Sequence, residues 1–342
     1  MKKLILLLFI PLVFTCSSDS SDGNTDDTVP VDDTNPVYLD SNGVTIKARD
    51  WANVGESGTI NGITYTIVDK ETLTGMIQNS DDVSIVCTSK INDMSELFIY
   101  SNLNQDISSW DVSNVSNMSY MFLLASAFNQ PIGDWDVSSV TNMRGVFQSA
   151  ESFNQPIGDW DVSSVTDMRA LFSGTTEFNQ DISNWDVSSV NDMEGMFVLS
   201  SFNQPIGNWD ISNVNYTRYM FYDALAFNQP IEDWDVSSVT DMEGMFSYSS
   251  FNQPIGSWDV SNVTLMGYMF EQAESFNQPI GDWDVSSVTD MSQMFFSALS
   301  FNQDLISWDV NNVTDCLNFC LYTPDWTEPR PNFTNCGDTG CD

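Results

Sequence analysis

Phe153-Asn154-Gln155-Pro156-Ile157-Gly158-Asp159-Trp160-Asp161-Val162-Ser163-Ser164-Val165-Thr166-Asp167-Met168-Arg169-Ala170-Leu171-Phe172 is one copy of a unit that recurs along most of this chain. Tryptophan alone measures its period: Trp110, Trp135, Trp160, Trp185, Trp209, Trp234, Trp258, Trp283 and Trp308 are separated by 25, 25, 25, 24, 25, 24, 25 and 25 residues. Phe98, Phe122, Phe147, Phe172, Phe197, Phe221, Phe246, Phe270 and Phe295 close the units, and Met94 with Phe98 marks a degenerate copy before the first Trp. A fixed period in this range is the signature of stacked repeats, each unit being too small to bury its own apolar side chains.

Within a unit the apolar spacing changes. Trp160 and Val162 alternate with Asp159, Asp161 and Ser163, which predicts a short strand with one apolar face. Val165, Met168, Leu171 and Phe172 then fall at i, i+3, i+6 and i+7, which predicts a helical turn, and Ser164-x-x-Asp167 has the form of a capping box at its start. The expected fold class is an α/β solenoid, a leucine-rich-repeat-like stack of about ten coils of 24–25 residues over 83–320, with short parallel strands and short helical turns. A small β-rich N-terminal cap is expected at 37–82 and a Cys-containing C-terminal cap at 321–342.

At these residues a resemblance is specific. The spacing Ile157-x-x-Trp160-x-Val162-x-x-Val165-x-x-Met168 looks like a leucine-rich-repeat pattern, and FNQPIGDWDVSSVTDM is similar to the BspA-like leucine-rich-repeat family of bacterial surface lipoproteins. The match covers about residues 83–320. It implies a cell-surface adhesin that binds host or environmental macromolecules, and it carries over no catalytic residue.

The N-terminus fits that address. Met1-Lys2-Lys3 precedes the apolar run Leu4 to Phe14, which as a helix spans about 16 Å, half of a bilayer core, so 1–15 reads as a secretory signal and not a membrane anchor. Val13-Phe14-Thr15-Cys16 resembles a lipobox, which would make Cys16 the lipid-modified residue of a protein anchored to the bacterial outer membrane and exposed at the cell surface. Residues 16–36 are rich in Ser, Asp, Thr and Pro, too polar to build a core, and read as a tether. Beyond them, Asn42-Gly43 and Asn61-Gly62 each separate two β-rich runs, predicting two hairpins, and 70–79 reads as a short helix.

Composition removes several functions. The 342 residues hold 48 Asp and Glu, 10 Lys and Arg and no His, a formal charge of −38. Without imidazole there is no Ser-His-Asp or Cys-His nucleophile and no His-ligated metal. Such a charge repels nucleic acid and anionic lipid, so partners are expected to be extracellular proteins or glycans, with membrane contact through the N-terminal lipid alone and a monomeric chain. Glycoside hydrolysis by paired carboxylates is disfavoured because each candidate Asp recurs in every unit and no single shielded acid stands apart. The expectation is a non-enzymatic surface binding protein; the alternative is a structural or spacer protein of the envelope.

Three columns and four cysteines are the candidate site residues. The Trp column reads as core. Asn104, Asn129, Asn154, Asn179, Asn203, Asn228, Asn252, Asn277 and Asn302 read as an amide ladder between coils. Asp111, Asp136, Asp161, Asp186, Asp210, Asp235, Asp259, Asp284 and Asp309 are assigned to the outward face of adjacent strands, where neighbours about 4.8 Å apart would repel by roughly 0.9 kcal/mol in water. Three readings stay open for them: local acceptors of turn N–H groups, a Ca2+ site, or a face for a basic or hydroxyl-rich ligand. Should they prove structural, the ligand site is expected on the helical or loop face, where the residues after each Phe vary. Cys316 and Cys320 replace core Met and Phe in the last unit. With Cys336 and Cys341 they are expected to form disulfides that pin the tail, the rival being a four-thiolate zinc site. Cys87 reads as a small buried thiol.

Overall fold

The computed structural model describes residues 34–341. Residues Asn35–Asp342 form one compact unit. The expected signal segment 1–15, Cys16 and the expected tether up to residue 33 lie outside the described residues.

The N-terminal module has the two hairpins that its turn residues dictate. β1 (Val37–Leu39) pairs antiparallel with β2 (Ile46–Ala48), and β3 (Ser57–Ile60) with β4 (Ile63–Ile67). Asn61 and Gly62 both take positive φ, the two-residue turn whose twist matches a hairpin. α1 (Lys70–Asn79) is capped by Asp69, whose carboxylate accepts the Thr72 N–H at 2.9 Å. Its buried Leu73 and Ile77 join the same apolar core as Met94 and Phe98 of the first repeat. β5 (Val86–Cys87) pairs parallel with β4, so the N-terminal sheet reaches into the span expected to be pure repeat.

From there the chain is a stack of tandem repeats, and the local structure of each unit differs from the sequence expectation in two ways. Neither a strand at Trp-Asp-Val nor a helical turn after it is present; α1 is the one helix among the described residues. Parallel bridges instead link Asp93, Asn117, Asn142, Asp167, Asp192, Tyr216, Asp241, Leu265, Asp290 and Asp315, the residue before the Met position of ten successive units.

The backbone of one unit explains both differences. After each bridge alternate N–H groups leave the unit: those of Met168, Ala170, Phe172 and Gly174 donate to the carbonyls of Asp192, Glu194, Met196 and Val198 in the next unit. The N–H groups between them close tight turns, Leu171 to Met168, Ser173 to Ala170 and Thr175 to Phe172. A helix would consume these donors internally and leave the stack without a ladder. The turns need a left-handed residue two and six places after Met. Tyr120, Gly145, Ala170, Gly195, Tyr219, Gly244 and Tyr268 take φ between +50° and +62° at the first of these positions. Non-glycine residues there cost on the order of 1–2 kcal/mol each, offset by the bonds the ladder gains. The i, i+3, i+7 spacing of a helix face was therefore produced by consecutive turns. The presumed capping Asp167 accepts the Arg169 N–H at 3.0 Å and sets up the first turn instead.

The core is aromatic. Each Trp of the column is buried, and from Trp135 on its indole N–H donates to the Ile carbonyl of the preceding unit, as Trp160 does to Ile132 at 3.1 Å, while Trp110 donates to Val83. Two Phe columns run beside it, face to face within a unit (Phe147 and Phe153, 3.9 Å between centroids) and between units (Phe147 and Phe172, 5.8 Å, 4°). The tail continues the pattern: Trp326 and Thr327 stand one period after Phe301 and Asn302, Trp326 is buried against Phe301, and the Thr327 N–H donates to Asn302 Oδ1. Disulfides Cys316–Cys336 and Cys320–Cys341 hold the end, where Cys320 N–H meets the Thr339 carbonyl. The thiolate zinc reading is thereby replaced by two bridges. Cys87 is a buried free thiol.

Candidate functional site

The Asn column is internal wiring. Asn203 N–H donates to Asn179 Oδ1 at 2.8 Å, Asn228 to Asn203 and Asn252 to Asn228, so each amide oxygen takes a backbone donor of the next unit. Gln229 reinforces it by donating to the Asn203 carbonyl at 3.0 Å.

The Asp column is also engaged locally. Asp136, Asp161, Asp186, Asp210, Asp235 and Asp259 are exposed, and each accepts through Oδ1 the O–H of the Ser two residues on at 2.6 Å as well as that Ser's N–H at 3.0–3.2 Å. Asp284 accepts the Ser286 N–H, and Asp309 accepts from both the backbone and the side chain of Asn311. Asp111 is buried and takes bonds from Ser89 and Ser113. The Ser hydroxyl and then its N–H hold the carboxyls of Asp186, Asp235 and Asp284 below the usual range. Because the inter-unit ladder runs elsewhere, the strand pairing assumed for this row is not what spaces it. Among the described residues no group of three or more Cys, Asp or Glu is placed to hold a metal ion.

The ladder segment concentrates a different chemistry. Of the 10 Lys and Arg in the chain, those between residues 91 and 329 are Arg144, Arg169 and Arg218, each directly after the Met position of its unit, which Thr217 fills before Arg218. Every tyrosine beyond residue 65, namely Tyr100, Tyr120, Tyr216, Tyr219, Tyr222, Tyr248, Tyr268 and Tyr322, lies between one residue before and six after the Met position of its unit. Buried Met and Phe alternate with them. Arg169 is paired with Asp167 and, at 3.4 Å, with Asp192; Arg218 donates to Glu243 at 2.8 Å and lies 4.9 Å over the Tyr219 ring, whose hydroxyl donates to the same carboxylate at 2.6 Å. Arg144 rests over Tyr120 at 5.6 Å. Burial pushes the carboxyls of Asp192 and Asp241 up, against the pull of the Glu194 and Glu243 N–H groups.

Two adjoining clefts open on this segment. One is lined by Tyr120, Arg144, Arg169, Glu194 and Tyr219 among others; the second, of about 430 Å³, is lined by Val198, Tyr219, Tyr222, Tyr268 and Glu271, and the two share Val198 and Tyr219. None of these residues was singled out from the sequence, which pointed only to the variable stretch after each Phe. Their signal was legible as a fixed offset from Met, but the face they occupy became visible once the ladder was known to run there.

The repeats place the chain in a family. It belongs to the family described as "Mycoplasma protein of unknown function, DUF285", which matches residues 70–168, 155–250 and 230–328 in tandem. No curated protein and no solved structure matches the chain.

Proposed function

We propose that the chain is a non-enzymatic surface binding protein, its repeats a leucine-rich-repeat-like solenoid of the BspA-like kind, tethered to the outer membrane through lipid on Cys16. The ladder segment is the face that meets an extracellular macromolecule. The observation that carries this is the sorting of side chains: the Trp, Phe, Asn and Asp columns are nearly constant from unit to unit and spent on folding. Tyrosine and arginine, the residues that dominate protein recognition surfaces, are confined to the positions that vary. No helix among the described residues is long and apolar enough to cross a membrane, so lipid is the anchor this reading requires.

A glycan and matrix-protein array, run with and without calcium, tests the reading. Binding to an array ligand should be lost on changing the exposed Tyr100 and Tyr216 to Ser, and kept when Asp161, Asp186 and Asp210 become Asn, since Asn retains the Oδ1 acceptor of each turn. The opposite pattern would return the site to the Asp row. Mass spectrometry of the isolated N-terminus checks the anchor, and an unmodified Cys16 refutes it.

A further inference from the structure

The second cleft combines three aromatic rings with one acid that has no cation beside it. Tyr219 and Tyr222 meet edge to face at 5.7 Å, and Tyr222 and Tyr248 approach at 5.4 Å. Gly244 lies between Tyr219 and Tyr268 in the column two places after Met, where a Cβ would stand 2.1 Å from the Tyr219 ring. The missing side chain leaves room for that ring against the next unit. Glu271 is half-buried, and its carboxylate accepts a hydrogen bond from the Ser247 hydroxyl at 3.1 Å. The nearest guanidinium in the column, Arg218, is already committed to Glu243 and to the Tyr219 ring. Burial therefore pushes the Glu271 carboxyl up, its ionised form lacking a compensating charge.

We propose that this cleft receives a lysine or arginine side chain of a basic polypeptide segment, with Tyr222 and Tyr268 supplying ring faces and Glu271 the counter-charge. The proposal rests on the reading of the ladder segment as the binding face and names its partner. A cation over aromatic faces is attracted by the ring quadrupole, most strongly where water is excluded, and a carboxylate at the edge adds a charge-assisted hydrogen bond. Charge decides against a neutral sugar: the surrounding −38 field draws a basic segment in and gives a glycan nothing.

Titration calorimetry of the intact chain with hexalysine, choline chloride and cellohexaose, at fixed ionic strength, tests this. Hexalysine should bind, and Glu271→Gln and Tyr222→Ala should each weaken it about tenfold, a change of about 1.4 kcal/mol. Tyr222→Phe keeps the ring and should bind as the parent does, which covers the case in which Tyr222→Ala fails to fold. Changing Asp161, Asp186 and Asp210 together to Asn removes three charges from another segment and should leave affinity within twofold. The proposal is overturned if that triple change weakens binding more than Glu271→Gln does, since attraction would then be diffuse. It is equally overturned if cellohexaose binds and hexalysine does not, or if choline matches hexalysine. Should the array ligand still respond to Tyr100 and Tyr216 while hexalysine ignores the cleft, the cationic partner alone fails; if neither responds, the face itself is wrong.

Discussion

Replacing Trp258 by Phe probes the bond that joins consecutive units through the core. Trp258 is 4% exposed, its ring stacks between Trp234 at 6.4 Å and Trp283 at 6.5 Å, and its indole N–H donates to the Ile231 carbonyl at 3.1 Å. That carbonyl also accepts the backbone N–H of Trp234 at 3.2 Å, so the substitution removes one of two donors and leaves no orphaned buried oxygen. The lost hydrogen bond is then worth about 1 kcal/mol and not the 1–3 kcal/mol of a stranded polar group. The vacated space, on the order of 40 Å³, adds about 1 kcal/mol at ~24 cal/mol per Å³. Trp258→Phe should cost about 2 kcal/mol and Trp258→Ala, which also loses both stacks, about 3–5 kcal/mol. Denaturant unfolding gives the totals, and hydrogen exchange at Trp234 and Trp283 should show the loss centred on the neighbouring units, as expected where each repeat touches only its neighbours. A cost above about 4 kcal/mol for the Phe variant would mean that the carbonyl was not doubly served, and one below about 0.5 kcal/mol would mean that the indole bond contributes nothing.

Reducing Cys316–Cys336 and Cys320–Cys341, which close spans of 20 and 21 residues, should remove about 3 kcal/mol per bridge and release the C-terminal units, seen as new protease cleavage between residues 300 and 341 while the central units stay resistant. Unchanged resistance would refute the capping role. Acidification should act in two stages. Asp192, Asp241 and Glu271 have folded pKa values raised by burial, so the folded chain binds protons before the unfolded one does and stability rises as pH falls toward their range. Asp186, Asp235 and Asp284 have lowered folded values, so the stability their Ser contacts supply is present above the unfolded pKa and is lost as pH falls through the folded one. The melting midpoint should therefore peak on the acid side of neutrality and drop at lower pH; a monotonic fall from pH 7 refutes the first stage.

The sequence by itself determined the period, the number of units, the buried Trp, Phe and Met, the Asn ladder, both hairpins, the second with its Asn-Gly turn, and which cysteines close the end. Each of these depends on a residue type recurring at a fixed spacing or on a local turn preference, and both are written along the chain. The tertiary structure decided the rest. Apolar residues at i, i+3 and i+7 are compatible with a helix face and with consecutive turns alike. The choice fell to turns because the next unit supplies carbonyls for alternate N–H groups, a partner that no window of one unit contains. The cysteine pairing and the continuation of the stack by Trp326 follow from where the last unit leaves its groups open. Tyr219, Tyr222, Tyr268 and Glu271 became a candidate site only in the folded stack, where units two periods apart line one cleft, because these residues are neighbours across the stack and not along the chain.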